Sequence, residues 1–86
     1  MIEPDIVRKT IARILTDIKG DSFVAGSISA ETDLLAEVGL DSLELTELIL
    51  RLEDELDIEM NLTDFNWESL RNLDRFVNLV LRSAEQ

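Results

Sequence analysis

The chain has 86 residues, 45% hydrophobic and 31% charged, which fits one domain, residues 1–86, with a modest core. It has no cysteine and no histidine; this excludes disulfides and thiolate metal sites, and it removes the usual general base and the commonest metal ligand. The net charge of −11 disfavours nucleic acid and anionic membrane as partners and favours proteins with basic patches.

The first predicted helix runs from about Pro4 to Lys19. Proline suits the first helical position, and Val7, Ile11, Ile14, Leu15 and Ile18 share one stripe at helical spacing. Gly20 ends it. The preceding Met1-Ile2-Glu3-Pro4-Asp5 lacks the basic start and apolar core of a signal peptide. No run approaches the roughly 20 apolar residues of a membrane span, so the expectation is a soluble, cytoplasmic protein.

Residues 20–40 carry Gly20, Ser22, Gly26, Ser27 and Ser29, which discourage regular structure. The same stretch holds Phe23, Val24, Ile28, Leu34, Leu35 and Val38, so the loop is expected to be pinned to the core. A helical turn is expected within Thr32 to Val38.

The second helix is predicted from about Ser42 to Leu56. Asp41 is a good N-cap and Glu44 stands three residues later, as in a capping box. Ser42 then projects at a helix start, where anions are favoured, and is a natural anchor for a phosphate group. Leu45, Leu48, Ile49, Leu52 and Leu56 make the core stripe. Leu43, Glu47, Leu50 and Asp54 recur on another face. Residues 41–59 hold eight acids against Arg51 alone, so the negative field centres on this helix. Asp57 to Asn61 should continue as an extended connection.

A short third helix is expected within Leu62 to Leu70, with Phe65 and Trp67 packing inward. Asn72 should cap a last helix, about Leu73 to Ser83, whose apolar set is Leu73, Phe76, Val77, Val80 and Leu81. With no strand-like alternation, the fold is all-α: a small bundle of three longer helices plus one short helix.

The stretch Gly39-Leu40-Asp41-Ser42-Leu43, followed by an acidic amphipathic helix, resembles the attachment site of acyl and peptidyl carrier proteins, and the resemblance runs from the first helix to the last. It implies an acyl-carrier-like fold and 4′-phosphopantetheine, taken from coenzyme A, joined to Ser42 as a phosphodiester. Asp41 and Leu43 flank that site. It also implies a carrier without catalytic activity, loaded by a phosphopantetheinyl transferase and serving an acyl- or aminoacyl-loading enzyme and downstream synthases. The default oligomeric state is a monomer.

The bland alternative for Ser42 is a serine that merely starts a helix. A nucleophilic role fails because no Gly-X-Ser-X-Gly elbow surrounds it and no histidine exists to activate it. A run of acids is ordinarily a solvated face. Here Leu43 and Leu50 stand among Glu44, Glu47 and Asp54, and apolar residues ringed by carboxylates read as a docking patch. In the carrier family this helix is the recognition helix, and Arg51 departs from the purely acidic surface of fatty-acid carriers. Asp54, Glu55, Asp57 and Glu59 lack the spacing of a calcium loop, so no metal site is expected. Asn61-Leu62-Thr63 matches a glycosylation acceptor only by accident.

Housekeeping fatty-acid carriers usually show Ile-Pro where this chain has Met60-Asn61, and seldom have a tryptophan nearby. The resemblance therefore points to a stand-alone carrier in polyketide, nonribosomal peptide or related specialised biosynthesis. A general fatty-acid carrier is the second reading. An unmodified acidic helical adaptor is the alternative of another class.

Overall fold

The computed structural model describes residues 2–20, 28–60 and 66–84. Helix α1 spans Pro4–Lys19, α2 spans Ser42–Leu56, a four-residue 3-10 turn spans Trp67–Leu70, and α3 spans Leu73–Ala84. The described residues contain no strand. The expected all-α architecture holds.

Helix α1 packs against both α2 and α3, and α3 also packs against the 3-10 turn. Val7, Ile11, Ile14 and Leu15 are fully buried, as the first stripe predicts, with Thr10 beside them. Gly20 ends α1 at φ +68°, a left-handed value that glycine adopts without steric cost. On α2 the core positions are Leu45, Leu48 and Leu52, while Ile49 and Leu56 are half-buried at the edge of the stripe. On α3 the buried stripe is wider than predicted: Leu79 and Ser83 join Leu73, Phe76, Val77 and Val80, and Leu81 is only half-buried. A helix packed on two sides needs a broader apolar arc than one packed on a single neighbour.

The described part of the long loop is pinned, as its apolar content requires. Leu34 and Leu40 are buried, and the Leu34 N–H donates to the Leu70 carbonyl at 2.8 Å. The N–H groups of Leu73 and Asp74, which α3 cannot satisfy internally, donate to the carbonyls of Thr32 and Ala30, both at 2.9 Å. The expected helical turn is present. Asp33 accepts from the N–H groups of Leu35 and Ala36, and the Glu37 side chain accepts from the Asp33 N–H. The predicted Phe23, Val24 and Phe65 lie outside the described residues.

Two expectations need correction. Trp67 was expected to pack inward, yet it is 51% exposed. The single short turn offers one inward position, and Leu70 takes it. The expected short helix is present over the described residues as the 3-10 turn capped by Asn66. The stretch from Asp57 is not simply extended: Asp57 is left-handed at φ 54° and ψ 50°, and its N–H closes on the Glu53 carbonyl. The Glu53 carboxylate also accepts from the Met60 N–H at 2.9 Å, and Met60 returns to the core. Asn72 caps α3 as expected, accepting from the Arg75 N–H at 3.2 Å.

Cross-helix ion pairs offset part of the acidity. Arg8 reaches Asp74, Arg13 reaches Glu55, Lys19 reaches Glu44 and Arg51 reaches Asp17. Exposed pairs contribute only about 0–1 kcal/mol each, whereas residues 41–59 carry eight acids and one base. Repulsion should therefore dominate the salt response. The melting temperature is expected to rise as the Debye length shortens from about 30 Å at 0.01 M to about 8 Å at 0.15 M sodium chloride. A fall over that range would show that the ion pairs, not the repulsion, control stability.

Candidate functional site

The start of α2 is fastened from within and from outside. The Asp41 carboxylate accepts from the Glu44 N–H at 2.7 Å, and the Glu44 side chain accepts from the Asp41 N–H at 3.2 Å. This is the capping box expected from the sequence. The same Glu44 carboxylate receives Lys19 Nζ at 2.7 Å, and Lys19 also donates to the Gly39 carbonyl at 2.9 Å. Lys19 thus ties the end of α1 to both sides of the turn that presents Ser42. Sequence reading missed this role, because a lysine in the last turn of a helix is already accounted for by the helix dipole. Gly39 supplies the left-handed backbone, φ +78°, that leads into Leu40.

Ser42 is the first residue of α2 and is exposed. The capping box occupies the Glu44 N–H, and the Leu45 N–H donates to the Asp41 carbonyl at 2.9 Å. The amides before them point out of the helix end, so the environment of the Ser42 hydroxyl favours an anionic substituent. Asp41 beside it acts as the cap, and Leu43 on its other side is 80% exposed.

Leu50 is 59% exposed, and Glu47 and Asp54 are exposed as well. An open groove of about 590 Å³ is lined by Ile18, Leu43, Glu44, Thr46, Glu47, Leu50 and Arg51. It brings together five of the residues singled out in the sequence. Asp54 is on the same helix but does not line it. Ile18, assigned to the core stripe from sequence, is half-buried and forms the α1 wall of the groove.

Two of the charged residues are committed to the scaffold. Glu44 holds the capping box and Lys19. Arg51 donates to Asp17 at 2.8 Å and lies 3.9 Å from Glu55. The hydrogen bond to Asp17, aided by attraction to Asp17, Glu55 and Glu47, raises the Arg51 guanidinium above its ordinary value, so it stays cationic throughout. Glu47 is left as the exposed acid of the groove. The described residues hold no group of acids arranged for a metal ion, and none of their helices is long and apolar enough to cross a membrane.

Residues 5–80 match the family model for the phosphopantetheine attachment site. An acyl carrier protein of Nitratidesulfovibrio vulgaris is 38% identical over 55 residues, covering 64% of this chain and 70% of the relative. One of Clostridium acetobutylicum is 36% identical over 62 residues, covering 72% of this chain and 78% of the relative. The chain belongs to the acyl carrier protein family.

As an acyl carrier protein it holds 4′-phosphopantetheine covalently and has no catalytic activity of its own. The residues present fit that group: an exposed hydroxyl stands at a capped helix start, and a chain without cysteine has no thiol to offer. Such carriers work with a phosphopantetheinyl transferase and with acyl-processing enzymes.

Proposed function

We propose that Ser42 is the attachment point and that the protein is a stand-alone, one-domain cytoplasmic carrier presenting an acyl or aminoacyl thioester to separate enzymes. The exposed Ser42 at the capped start of α2 carries this reading. The arm supplies the missing thiol on a flexible tether. The chain anchors that tether at Ser42, so each docked enzyme meets the cargo at high effective concentration. Asp41 and Glu44 hold the anchor, and Leu43, Glu47, Leu50 and Arg51 form the recognition surface, with Asp54 at its far end.

The pathway we favour is polyketide, nonribosomal peptide or related specialised biosynthesis, supported by Met60-Asn61 and the exposed Trp67. Both relatives bear the name acyl carrier protein, which keeps fatty-acid biosynthesis as the second reading. Intact mass of the protein from its native source distinguishes them by the cargo on the arm. An unmodified chain would restore the acidic adaptor.

The groove gives a separable pair of effects. Glu47→Lys is expected to slow partner association and flatten its salt dependence, because exposed charges steer encounter. Leu50→Ala should instead speed dissociation about tenfold, since apolar anchors act on residence time. Both variants should remain folded, as both side chains are exposed. Loading by the cognate enzyme, followed after arm transfer across a salt series, provides the measurement. Wild-type kinetics for both variants would reduce the face to a solvated surface.

A further inference from the structure

We propose that the face of α3 carrying Arg75, Asn78 and Arg82 is a second docking surface, and that it takes an acidic protein segment. The chain has 19 acids and 8 bases, and besides Lys9 on α1 the cations outside the ion pairs of the described residues are two arginines on one face of α3. Arg8, Arg13, Lys19, Arg51 and Arg71 each sit in an ion pair. Arg75 and Arg82 have no ion pair among the described residues, and both are exposed. The buried side of α3, at Phe76, Val77 and Val80, lies elsewhere on the helix, so the arginines do not serve the core.

The two arginines are seven residues apart, nearly two helical turns, with Asn78 between them on the same face. They border a groove of about 280 Å³ whose other wall is the 3-10 turn, through Asn66, Glu68 and Ser69. The Glu68 carboxylate on that wall is engaged by Arg71 at 3.3 Å, which leaves the groove cationic. Trp67, between Asn66 and Glu68 in sequence, is 51% exposed but does not line the groove.

Guanidinium groups recognise carboxylates bidentately. A rise of 1.5 Å per residue separates the two arginine positions by about 10 Å. The matching partner therefore presents two carboxylates about 10 Å apart. A protein segment meets this demand. A nucleic acid or an anionic bilayer brings a dense array of charge against a chain of net charge −11, and its repulsion outweighs two arginines. The surface is independent of Ser42, so its failure leaves the attachment site untouched.

The test uses the full chain, isotopically labelled, and a synthetic alanine-rich helical peptide with two glutamates seven residues apart. Saturable chemical-shift changes are expected at Arg75, Asn78 and Arg82. Affinity should fall at least fivefold in the Arg75→Gln/Arg82→Gln variant and recover in part with Arg75→Lys/Arg82→Lys. Equal shifts with a glutamine version of the peptide would overturn the proposal, as would shifts confined to other helices. Binding to phosphatidylglycerol vesicles or to single-stranded DNA, lost in the glutamine variant while the peptide stays silent, would replace it with a polyanion site. The lysine variant keeps the charge, so it separates lost recognition from lost folding.

Discussion

Ser42→Ala is expected to abolish attachment of the phosphopantetheine arm and leave the fold intact. The stability half follows from the local geometry. The cap belongs to Asp41 and is returned by Glu44, so removing the Ser42 hydroxyl costs no capping bond. Alanine is also the better helix former, by up to about 0.5 kcal/mol. The functional half follows because the phosphodiester needs that oxygen. Intact mass after incubation with coenzyme A and a promiscuous phosphopantetheinyl transferase should show one adduct on the wild type and none on the variant. An adduct on the alanine variant would move the site to another hydroxyl. Asp41→Ala serves as the contrast: it keeps the oxygen but removes the cap, at a cost of about 1 kcal/mol.

The second large effect lies away from the serine. Leu34→Ala should destabilise the protein by about 3 kcal/mol, because Leu34 is fully buried and pins the long loop. A chain of this size has a total stability of order 4–13 kcal/mol, and the melting temperature should fall by more than about 10 °C. Leu35, half-buried on the same turn, provides the comparison, and its alanine variant should lose less than half as much. Urea denaturation followed by circular dichroism measures both. Equal, small losses at the two positions would mean that the loop is held by its backbone hydrogen bonds alone.

Much of this was legible in the sequence because helical periodicity and caps are local signals. Asp41, Glu44 and Asn72 announced their helix starts, and the stripes on α1 and α2 were read within a residue or two. The Leu43, Glu47 and Leu50 face was legible for the same reason. The features missed are those decided by distant partners. Lys19 is unremarkable in sequence until α1 is laid beside Gly39 and Glu44. Leu79 looks solvent-facing until α3 is given two neighbours. Trp67 is apolar enough to suggest burial, but the chain spends only a short turn there and gives the inward position to Leu70. Glu53 sits among docking acids in sequence, yet its carboxylate is turned to the Met60 N–H.

The hydrogen bonds from Leu34 to Leu70, and from Leu73 and Asp74 to Thr32 and Ala30, join a segment before α2 to a segment after it. Helix α2 is thus a bridge strung between two abutments that hold each other. An isolated helix of 15 residues is marginal in water, and one carrying so many like charges is poorer still. The proposed recognition surface is therefore not portable as a linear peptide. A miniature version would have to rebuild the abutments, by a staple or a ring closure, before it could present the serine and its two neighbouring leucines in register.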